Sequence, residues 1–497
     1  MKLSELARRC AHYVVNLQGD CEVSLPFMDS RENCPGGLFF CISGARFDAH
    51  DFASQAVANG AAALVVERML PLDVPQIQVR GVREAFGPMC AEIYGHPSER
   101  MKTVGLTGTK GKTTSSYLIK AILEAAGLKV GLIGTTGNMI GDTFLHGGMT
   151  TPEAHHLQAL LYRMEQEKVQ AVVMEVSAHA IDMHRIDGIL FDVGCYTNLS
   201  QDHLDYFGTM DRYFEAKRSF FDGRYIRSAA LNVDDERAGR ILEGMKLPCL
   251  RYGISTNADL YARDIEISEN GVNFRLCTAG QGEHPVHLQM TGIFNVYNAL
   301  TAAAAAMSLG IGLETVVRGL ESVKSVPGRA EVLETNTPYK VLLDYSHSPE
   351  ALENILTAVR DFTRGRVIAL FGCGGDRDHG KRPIMGEIGG RLADYCILTS
   401  DNPRNEDPFQ ILASVEEGIR RTSCRYTVIE NRRQAIRHAL SIAKEGDIVV
   451  LAGKGHETYQ EIRGTKRPFN EKTVVRELLD ELSREQQADK AEGAYRQ

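Results

Sequence analysis

The chain has 497 residues and a formal net charge of −8. An acidic balance disfavours a protein that binds nucleic acid over a broad basic surface, although it leaves room for a local basic pocket. Hydrophobic residues make up 43% and charged residues 24%, which is typical of a soluble protein with substantial cores, and the length predicts about three domains.

Targeting signals are not evident in the sequence. No run approaches the roughly 18 apolar residues of a membrane span. The N-terminus carries charges at Glu5, Arg8 and Arg9 and lacks the apolar core of a secretory signal. The 11 cysteines include no CxxC pair, which indicates reduced thiols. We therefore predict a cytoplasmic protein without a membrane span.

The first block, residues 1–98, has the pattern of a small α/β unit. Its predicted elements are a strand at 38–42, a helix at 51–58 and a strand at 61–66. Ser30 and the turn Gly44-Ala45-Arg46 could hold an anionic or sugar ligand, although ordinary surface turns have the same composition.

The second block, residues 99–325, alternates short apolar runs with helical patterns, which predicts a mostly parallel sheet. Its predicted strands are 103–106, 130–133, 171–176, 191–196 and 229–233, and two helices follow at 294–307 and 310–323. Polar residues cluster just after several of these strands. In open α/β sheets, ligands bind at that edge.

A glycine-rich loop follows the first of these strands, with the sequence Gly108-Thr109-Lys110-Gly111-Lys112-Thr113-Thr114 before a helical run at 115–126. Backbone N–H groups at such a strand-to-helix turn point at one spot, and the helix dipole favours an anion there. Lys112 adds a positive charge for terminal phosphates, and the Thr113 hydroxyl can hold Mg²⁺. The usual P-loop spacing would place glycine where Leu106 stands, so this loop is a shorter variant.

Three further residues of this block could carry chemistry, each with a simpler interpretation beside it. Glu175 ends a predicted strand near the loop and suits Mg²⁺, or it is a surface carboxylate. His203 could be a second metal ligand or a histidine at a helix start. Lys217 lies on an amphipathic helix, where a lysine is usually solvated.

The pattern breaks at residues 325–329, and the third block, 326–497, alternates again as a second doubly wound sheet. We predict strands at 340–343, 367–371, 396–399, 426–429 and 448–452, with helices at 349–362, 383–392, 408–420, 432–443 and 471–482. Three loops follow strands of this sheet, at 372–378, 401–408 and 453–457. The second contains Arg404 after Pro403, a fork suited to grip a carboxylate. Each loop alone could be an ordinary surface loop.

Together these motifs resemble the Mur ligase family, and the resemblance covers nearly the whole chain. It implies a three-domain α/β fold: an N-terminal uridine-nucleotide domain (1–98), a central P-loop ATPase-like domain (99–325) and a C-terminal Rossmann-like domain (326–497). It also implies ATP-dependent amide formation through an acyl phosphate, in peptidoglycan precursor synthesis.

The resemblance further implies roles for individual residues. The ATP phosphates would bind Gly108, Thr109, Lys110, Gly111, Lys112, Thr113 and Thr114. The adenosine would lie near Asn295, Arg329, Asp344 and His347. Mg²⁺ would be held by Thr113, Glu175, His203 and Lys217, the last as a carbamate, and Lys112 would act with these in catalysis. The acceptor UDP-MurNAc-L-Ala-D-Glu would contact Ser30, Thr150, Thr151, Ser177 and Arg185.

The incoming amino acid implied by the resemblance is meso-diaminopimelate. Its site would comprise Arg377, Asp401, Asn402, Pro403, Arg404, Gly453 and Glu457. L-lysine remains an alternative, but it has no second carboxylate for Arg404, and a buried unpaired arginine is costly. A folylpolyglutamate-type ligase is a second alternative, although it needs neither the first block nor residues 401–404. We expect a monomer that binds no nucleic acid.

Two positions depart from the family pattern. Met149 precedes Thr150 where an asparagine is common, and Met183 stands where a glutamine is common. Both changes would remove a hydrogen bond to the peptide of the acceptor substrate.

Overall fold

The computed structural model describes residues 1–44, 47–145, 147–255, 257–268, 270–280 and 282–495. Ala45 and Arg46 of the predicted anion-binding turn lie outside the described residues. In the described part of the chain the strands form a five-stranded, an eleven-stranded and a six-stranded sheet, together with a two-stranded hairpin.

The first sheet is built from the N-terminal block. Its elements are α1 (Leu3–Arg9), β1 (Val14–Gln18), β2 (Pro26–Phe27), β3 (Gly37–Phe40), α2 (Ala53–Ala58), β4 (Ala61–Val66), β5 (Gln76–Val79) and α3 (Val82–Tyr94). The strand order is β1-β5-β4-β3-β2, and only β1 runs antiparallel to its neighbour. The predicted strands and helix of this block are confirmed within one or two residues at most ends.

The central sheet contains eleven strands in the order β16-β15-β14-β13-β12-β11-β6-β10-β7-β8-β9. The strands are β6 (Lys102–Thr107), β7 (Val130–Gly134), β8 (Gly137–Ile140), β9 (Thr143–Leu145), β10 (Ala171–Glu175), β11 (Phe191–Tyr196), β12 (Ile226–Asn232), β13 (Cys249–Gly253), β14 (Leu260–Ser268), β15 (Gly271–Thr278) and β16 (Gly282–Leu288). The helices are α4 (Lys112–Ala125), α5 (Ala154–Gln166), α6 (Ala178–Asp182), α7 (Leu204–Phe207), α8 (Met210–Arg218), α9 (Ala238–Leu242), α10 (Ile293–Ser308) and α11 (Leu313–Ser322).

The five predicted strands of this block are confirmed as the parallel centre of the sheet. The antiparallel extensions β8–β9 and β14–β16 were not predicted. β15 alternates buried with exposed positions, and Arg263, Arg275 and Glu283 form ion pairs across this part of the sheet. A sheet with one solvated face lacks the continuous apolar run that marks a buried parallel strand.

The third sheet has the order β17-β18-β22-β19-β20-β21 and is parallel except for β17. Its elements are β17 (Glu331–Leu333), β18 (Lys340–Asp344), α12 (Pro349–Arg360), β19 (Val367–Phe371), α13 (Lys381–Leu392), β20 (Tyr395–Leu398), α14 (Pro408–Ile419), β21 (Arg425–Val428), α15 (Arg432–Ile442) and β22 (Ile448–Ala452), followed by the hairpin β23 (Tyr459–Ile462) and β24 (Thr465–Pro468) and by α16 (Glu471–Tyr495). All five predicted strands are confirmed within one residue.

Helices α3 and α5 join the first block to the central sheet. His155 on α5 is 6% exposed, and its ring lies 5.4 Å from that of Phe86 on α3. Neither ring nitrogen of His155 has a hydrogen-bond partner. Burial, followed by the neighbouring His156, lowers the pKa of His155 to about 4. The folded state therefore favours the neutral imidazole.

The free energy of unfolding is expected to fall as the pH drops from 7.5 to 5, and His155 should cause part of this loss. An unfolded histidine, with a pKa of about 6.5, is protonated at pH 5, whereas the folded one stays neutral, so protonation favours the unfolded state. His155→Phe should remove about 2 kcal/mol of this pH-dependent loss in the free energy of unfolding. Urea unfolding at pH 7.5 and at pH 5 measures the free energy of unfolding, and the exposed His12→Phe variant is the control. Equal losses in His155→Phe and in the wild type would contradict the role given to His155.

Candidate active site

A cleft of about 500 Å³ opens at the carboxyl edge of the central sheet and reaches the third sheet. Many of the residues predicted for the ATP, metal and acceptor-substrate sites line it together. From the central block these are Thr109, Lys110, Gly111, Lys112, Thr113, Thr114, Thr150, Glu175, Ser177, His203 and Asn295, and from the C-terminal block they are Arg329, Asp344 and His347.

The glycine-rich loop is anchored from outside by the turn that follows β11. Thr109 N–H donates to the Asn198 carbonyl and Lys110 N–H donates to Asn198 Oδ1, both at 2.9 Å. Gly108 has φ +150° and approaches Thr197 so closely that a Cβ would lie 1.9 Å from its hydroxyl oxygen. Glycine is therefore required at this point of the loop.

Lys112 begins α4 and folds back over the loop. Its Nζ donates to the carbonyls of Gly108 at 2.7 Å and Thr109 at 3.1 Å. Burial lowers the pKa of Lys112 to about 8, and the nearby carboxylate of Glu175 opposes this shift. The helix begins at Lys112 rather than at 115 as predicted, so the lysine lies at the helix N-terminus, where anions are favoured.

Glu175 ends β10 and is fully buried, so the interpretation as a surface carboxylate is wrong. Its Oε2 accepts hydrogen bonds from the hydroxyls of Thr113 at 3.1 Å and Thr135 at 3.0 Å. Its Oε1 accepts the Thr135 N–H at 3.0 Å. Thr135 was not proposed from the sequence, although it follows a predicted strand at the same sheet edge, and that position was the available signal.

The C-terminal block contributes Arg329 directly to the loop. Arg329 Nη2 donates to Thr113 Oγ1 at 3.0 Å, and its guanidinium lies 4.8 Å from the centre of the Tyr345 ring. Asp344 accepts the Ala330 N–H at 2.7 Å. Burial raises the pKa of Asp344, with hydrogen bonds opposing the shift. Arg329 is therefore a positive charge shared between the two sheets.

Two asparagines on α10 connect that helix to the phosphate loop. Asn298 Nδ2 donates to Asn295 Oδ1 at 3.0 Å, and Asn295 Nδ2 donates to the Thr291 carbonyl at 2.7 Å. A Cβ on Gly111 would lie 2.5 Å from Asn298 Oδ1. Asn295, which was predicted to lie near the adenosine, thus contacts Asn298, and Asn298 in turn lies against the loop.

Lys217 on α8 is 1% exposed, so the solvated interpretation is wrong. Its Nζ lies 4.2 Å from the centre of the Tyr213 ring, and within the described residues no carboxylate forms an ion pair with it. Burial, together with the charge of Lys112, lowers its pKa well below the usual value. This lysine is therefore set up to be a neutral amine.

His203 precedes α7 with a left-handed φ of 55° and is partly exposed to the cleft. Its ring packs edge-on against His179 at 4.8 Å, and burial lowers its pKa to about 4. His203 therefore lies at a helix start, as one interpretation predicted, and its ring lines the cleft; its role as a metal ligand stays a prediction.

The residues predicted for the acceptor peptide are connected to Glu175. Thr151 Oγ1 donates to the Glu175 carbonyl at 2.8 Å and accepts the Ser177 N–H at 3.1 Å. Thr150 Oγ1 lies 3.0 Å from Thr135 Oγ1. Thr151 is 1% exposed, so it positions the strand end as well.

Met149 and Met183, the two residues that depart from the family pattern, both lie beside the guanidinium of Arg185. Its Nη1 is 3.5 Å from the Met149 sulfur and its Nη2 is 3.2 Å from the Met183 sulfur. Its Nε lies 2.8 Å from Glu153 Oε1. Ser30, by contrast, lies on the first block, donates to Gln55 Oε1 at 3.1 Å, and is not part of the cleft.

The loops at 401–408 and 453–457 meet at the edge of the third sheet. Arg404 Nη1 donates to the Gly375 carbonyl at 2.7 Å, and its Nε lies 3.4 Å from Glu461 Oε2. Asn402 Nδ2 donates to Glu457 Oε2 at 2.9 Å. A Cβ on Gly453 would lie 2.8 Å from Asp401 Oδ2.

The remaining predicted residues of this group differ in exposure. Pro403 is buried beside Arg404, whereas Arg377 is exposed and donates to the Asp376 carbonyl at 3.2 Å. Gly328 packs tightly against the 453–457 loop, because a Cβ on Gly328 would lie 2.1 Å from the backbone nitrogen of His456.

The described residues contain neither a membrane-spanning helix nor a cluster of typical metal-binding side chains. No helix in them has the length and apolarity needed to cross a membrane. No group of three or more His, Cys, Asp and Glu side chains in them could hold a metal ion. The 11 cysteines are free thiols.

These sheets and this cleft define an α/β protein in which a glycine-rich strand-to-helix loop faces residues of a second doubly wound sheet. The sequence also matches three family descriptions: "Mur ligase family, catalytic domain" at residues 24–93, "Mur ligase middle domain" at 106–306 and "Mur ligase, glutamate ligase domain" at 328–455. The chain belongs to the Mur ligase family and has its three-domain α/β fold.

Curated relatives match over nearly the full length. A UDP-N-acetylmuramoyl-L-alanyl-D-glutamate–2,6-diaminopimelate ligase of Clostridium acetobutylicum is 44% identical, covering 93% of this chain and 96% of its own. The protein of that name from Geobacillus thermodenitrificans is 42% identical, covering 97% and 100%.

Solved structures agree on the fold. A UDP-N-acetylmuramoyl-L-alanyl-D-glutamate–2,6-diaminopimelate ligase superimposes with a TM-score of 0.68 at 33% identity, covering 93% of this chain and 95% of its own. MurF from Acinetobacter baumannii has a TM-score of 0.66 at 22% identity, covering 96% and 98%. FolC of E. coli has a TM-score of 0.60 at 19% identity and covers only 74% of this chain and 90% of its own.

Replacing Lys112 is expected to weaken binding of ADP, used here as a probe of the loop, by about 10- to 100-fold. A hydrogen bond from a charged donor contributes about 1.5–3 kcal/mol, and Lys112→Met removes it. Calorimetric titration in Mg²⁺ buffer measures the change, with exposed Lys129→Met as the control. Unchanged ADP affinity in Lys112→Met would contradict the assignment of the loop.

Proposed function

We propose that this protein is an ATP-dependent ligase that joins meso-2,6-diaminopimelate to the D-glutamate carboxylate of UDP-MurNAc-L-Ala-D-Glu. The observation that carries the proposal is the cleft, where the phosphate loop, the Glu175 carboxylate and Arg329 of the C-terminal block converge. The curated relatives, named for this reaction and 42–44% identical over nearly the whole chain, support the same substrates.

The reaction would proceed in two steps, activation of the carboxylate and formation of the amide. The substrate carboxylate attacks the γ-phosphorus of ATP, which forms an acyl phosphate and releases ADP. The neutral amino group of the second substrate then attacks the acyl carbon, inorganic phosphate leaves with the electron pair of the C–O bond, and the nitrogen loses a proton to solvent to give the amide. Because little covalent chemistry falls to the protein, positioning and charge stabilisation supply most of the rate.

The loop residues 108–114 would hold the ATP phosphates, with Lys112 and Arg329 as the positive charges beside them. Asn295, Asp344 and His347 line the same cleft and would surround the adenosine. Lys112 Nζ donates to the loop carbonyls of Gly108 and Thr109, and from this position it would turn to the γ-phosphate.

The donors near the loop fit Mg²⁺. The Thr113 hydroxyl and the Glu175 carboxylate are buried oxygen ligands 3.1 Å apart, and Mg²⁺ prefers oxygen and keeps several waters or phosphate oxygens. Thr113 and Glu175 would therefore hold it, with His203 as a neutral third donor. When bound, the ion neutralises phosphate charge.

Lys217 would serve as a carbamate. A buried lysine with a lowered pKa and no carboxylate partner is a nucleophilic neutral amine, which adds to CO₂ and loses a proton to give an N-carboxylate. That modification would convert a buried neutral amine into an anion able to hold Mg²⁺, in a region that already contains the positive charges of Lys110 and Lys112.

The acceptor substrate would extend from Ser30 on the first block to Thr150, Thr151, Ser177 and Arg185. Arg185 carries the positive charge for the peptide carboxylates. Met149 and Met183 offer it only weak thioether acceptors. Arg185 Nε is paired with Glu153 and its Nη1 also donates to the Thr151 carbonyl at 3.3 Å, so Nη2 is the group that would turn to the substrate.

The incoming diaminopimelate would bind at the loops of the third sheet. Arg404 would grip its distal carboxylate, Arg377 and Gly453 would complete that end, and the loop from Asp401 through Asn402 and Pro403 would meet Glu457 at the distal ammonium. In this arrangement residues 1–98 would bind the uridine nucleotide, residues 99–325 would bind ATP and residues 326–497 would bind the amino acid. The protein would act as a monomer in the cytoplasm.

A phosphate-release assay tests the proposal directly. Purified protein with Mg-ATP and UDP-MurNAc-L-Ala-D-Glu is expected to release phosphate fastest with meso-diaminopimelate. Unlike L-lysine and L-ornithine, this amino acid has a second carboxylate, at its distal end, for Arg404. Lys112→Met is the inactive control. Absence of turnover with all three amino acids would refute the ligase, and turnover with L-lysine alone would refute the role of Arg404.

The carbamate makes a separate prediction. Lys217→Ala should lose activity by at least about 100-fold, since a Mg²⁺ ligand is lost, and should regain part of it with added formate or acetate, which can replace the carboxylate. The same additives should not restore Lys112→Met. A fully active Lys217→Ala would show that no carbamate is needed.

A further inference from the structure

Lys454 is a fully buried lysine that the proposed reaction does not use. It follows β22 in the 453–457 loop and is 0% exposed. Its Nζ donates to Glu457 Oε2 at 2.8 Å and to Asn402 Oδ1 at 3.2 Å, and it lies 3.8 Å from Asp401 Oδ1. The three residues around it all belong to the proposed amino-acid site.

These contacts fix the orientation of the Asn402 amide. Its Oδ1 accepts from Lys454 and from the Glu461 N–H at 2.9 Å, so its Nδ2 must face the other way, toward Glu457 Oε2 at 2.9 Å. Without Lys454, one of the two acceptor contacts that hold this orientation is lost.

The same contacts use only one oxygen of Glu457. Lys454 Nζ and Asn402 Nδ2 both donate to Oε2, and within the described chain no donor reaches Oε1. The Glu457 side chain is 14% exposed. One carboxylate oxygen is thus held in place while the other remains free to accept.

The charges agree with a single incoming ammonium. Lys454, Asp401 and Glu457 together carry a net charge of −1. The pair of Arg432 and Glu471 lies behind them, fully buried and 2.8 Å apart, and adds no net charge.

Arg432 also holds the two loops in their relative positions. Its Nη1 donates to the Ser400 carbonyl at 3.3 Å and its Nη2 to the Ala452 carbonyl at 2.8 Å. These residues come just before the loops that carry Asn402 and Lys454, and β19 lies between their strands. The side chains at the site therefore start from a fixed backbone.

We propose that Lys454 is a positioning residue that fixes Asn402 and the Oε2 of Glu457, so that Glu457 Oε1 receives the distal ammonium of the incoming amino acid. Lys454 thereby sets the preference of the site for an amino acid with a second ammonium. This inference rests on the proposed function, and it adds a residue whose role is to orient the carboxylate rather than to touch the substrate.

The test compares meso-diaminopimelate with 2-aminopimelate, which has the same carbon chain and carboxylates but lacks the second amine. In Lys454→Met the KM for meso-diaminopimelate should rise about 10- to 100-fold, since an oriented charged hydrogen bond contributes about 1.5–3 kcal/mol. The kcat/KM for 2-aminopimelate and the KM for ATP should stay within about twofold. The ratio of the two kcat/KM values therefore falls about 10- to 100-fold.

Exposed Lys466→Met, on β24 of the neighbouring hairpin, is the matched control and should keep the wild-type ratio. A double-mutant cycle adds a second criterion: in a Glu457→Gln background, Lys454→Met should not change the ratio further, because the two residues act as one unit. If Lys454→Met does not fold, Lys454→Gln, which keeps a donor, should show the same loss to a smaller degree.

The alternative role of Lys454 gives the opposite result. If it only neutralised Glu457, its removal would leave the site more negative, and the KM for meso-diaminopimelate would stay constant or fall. Either outcome, or additive effects in the cycle, would overturn the inference. A wild-type protein without turnover would instead overturn the proposed function.

Discussion

The parallel pairing of β6 with β10 and β11 is the constraint on which the site depends. Glu175 lies in register with Leu106, and Tyr196 with Thr107, so all three strands end at one edge of the sheet. The phosphate loop, the carboxylate and the anchoring turn therefore begin side by side. A shift of one residue would turn Glu175 to the opposite face of the sheet.

Three lysines are shielded from solvent, each beside a different kind of group. Lys112 lies half-buried against loop carbonyls, whereas Lys217 is buried against an aromatic ring and Lys454 against a carboxylate and an amide. Burying a cation is costly unless it is paired. For Lys112 and Lys217 the cost lowers the pKa of the amine, whereas Lys454 forms an ion pair with Glu457 at 2.8 Å.

Much of the fold could be predicted, because the parallel strands of the central and third sheets are continuous apolar runs separated by helical patterns. The antiparallel strands β14–β16 could not, because their alternation with charged residues resembles that of a surface loop. The pattern also failed for Lys217, which occupies a polar position of an amphipathic helix and is nevertheless buried. The helical period gives a direction around the axis but not the identity of the element packed there.

Local spacing was enough to identify the glycine-rich loop, the family, the strands that lead to each loop and the residue types that end them. Which distant side chains meet is known only from the folded structure. Arg329 reaches Thr113 across 216 positions of the chain, and Lys454 meets Asn402 across 52. Such contacts depend on how the sheets pack and on which strands are neighbours, and no local pattern records that information.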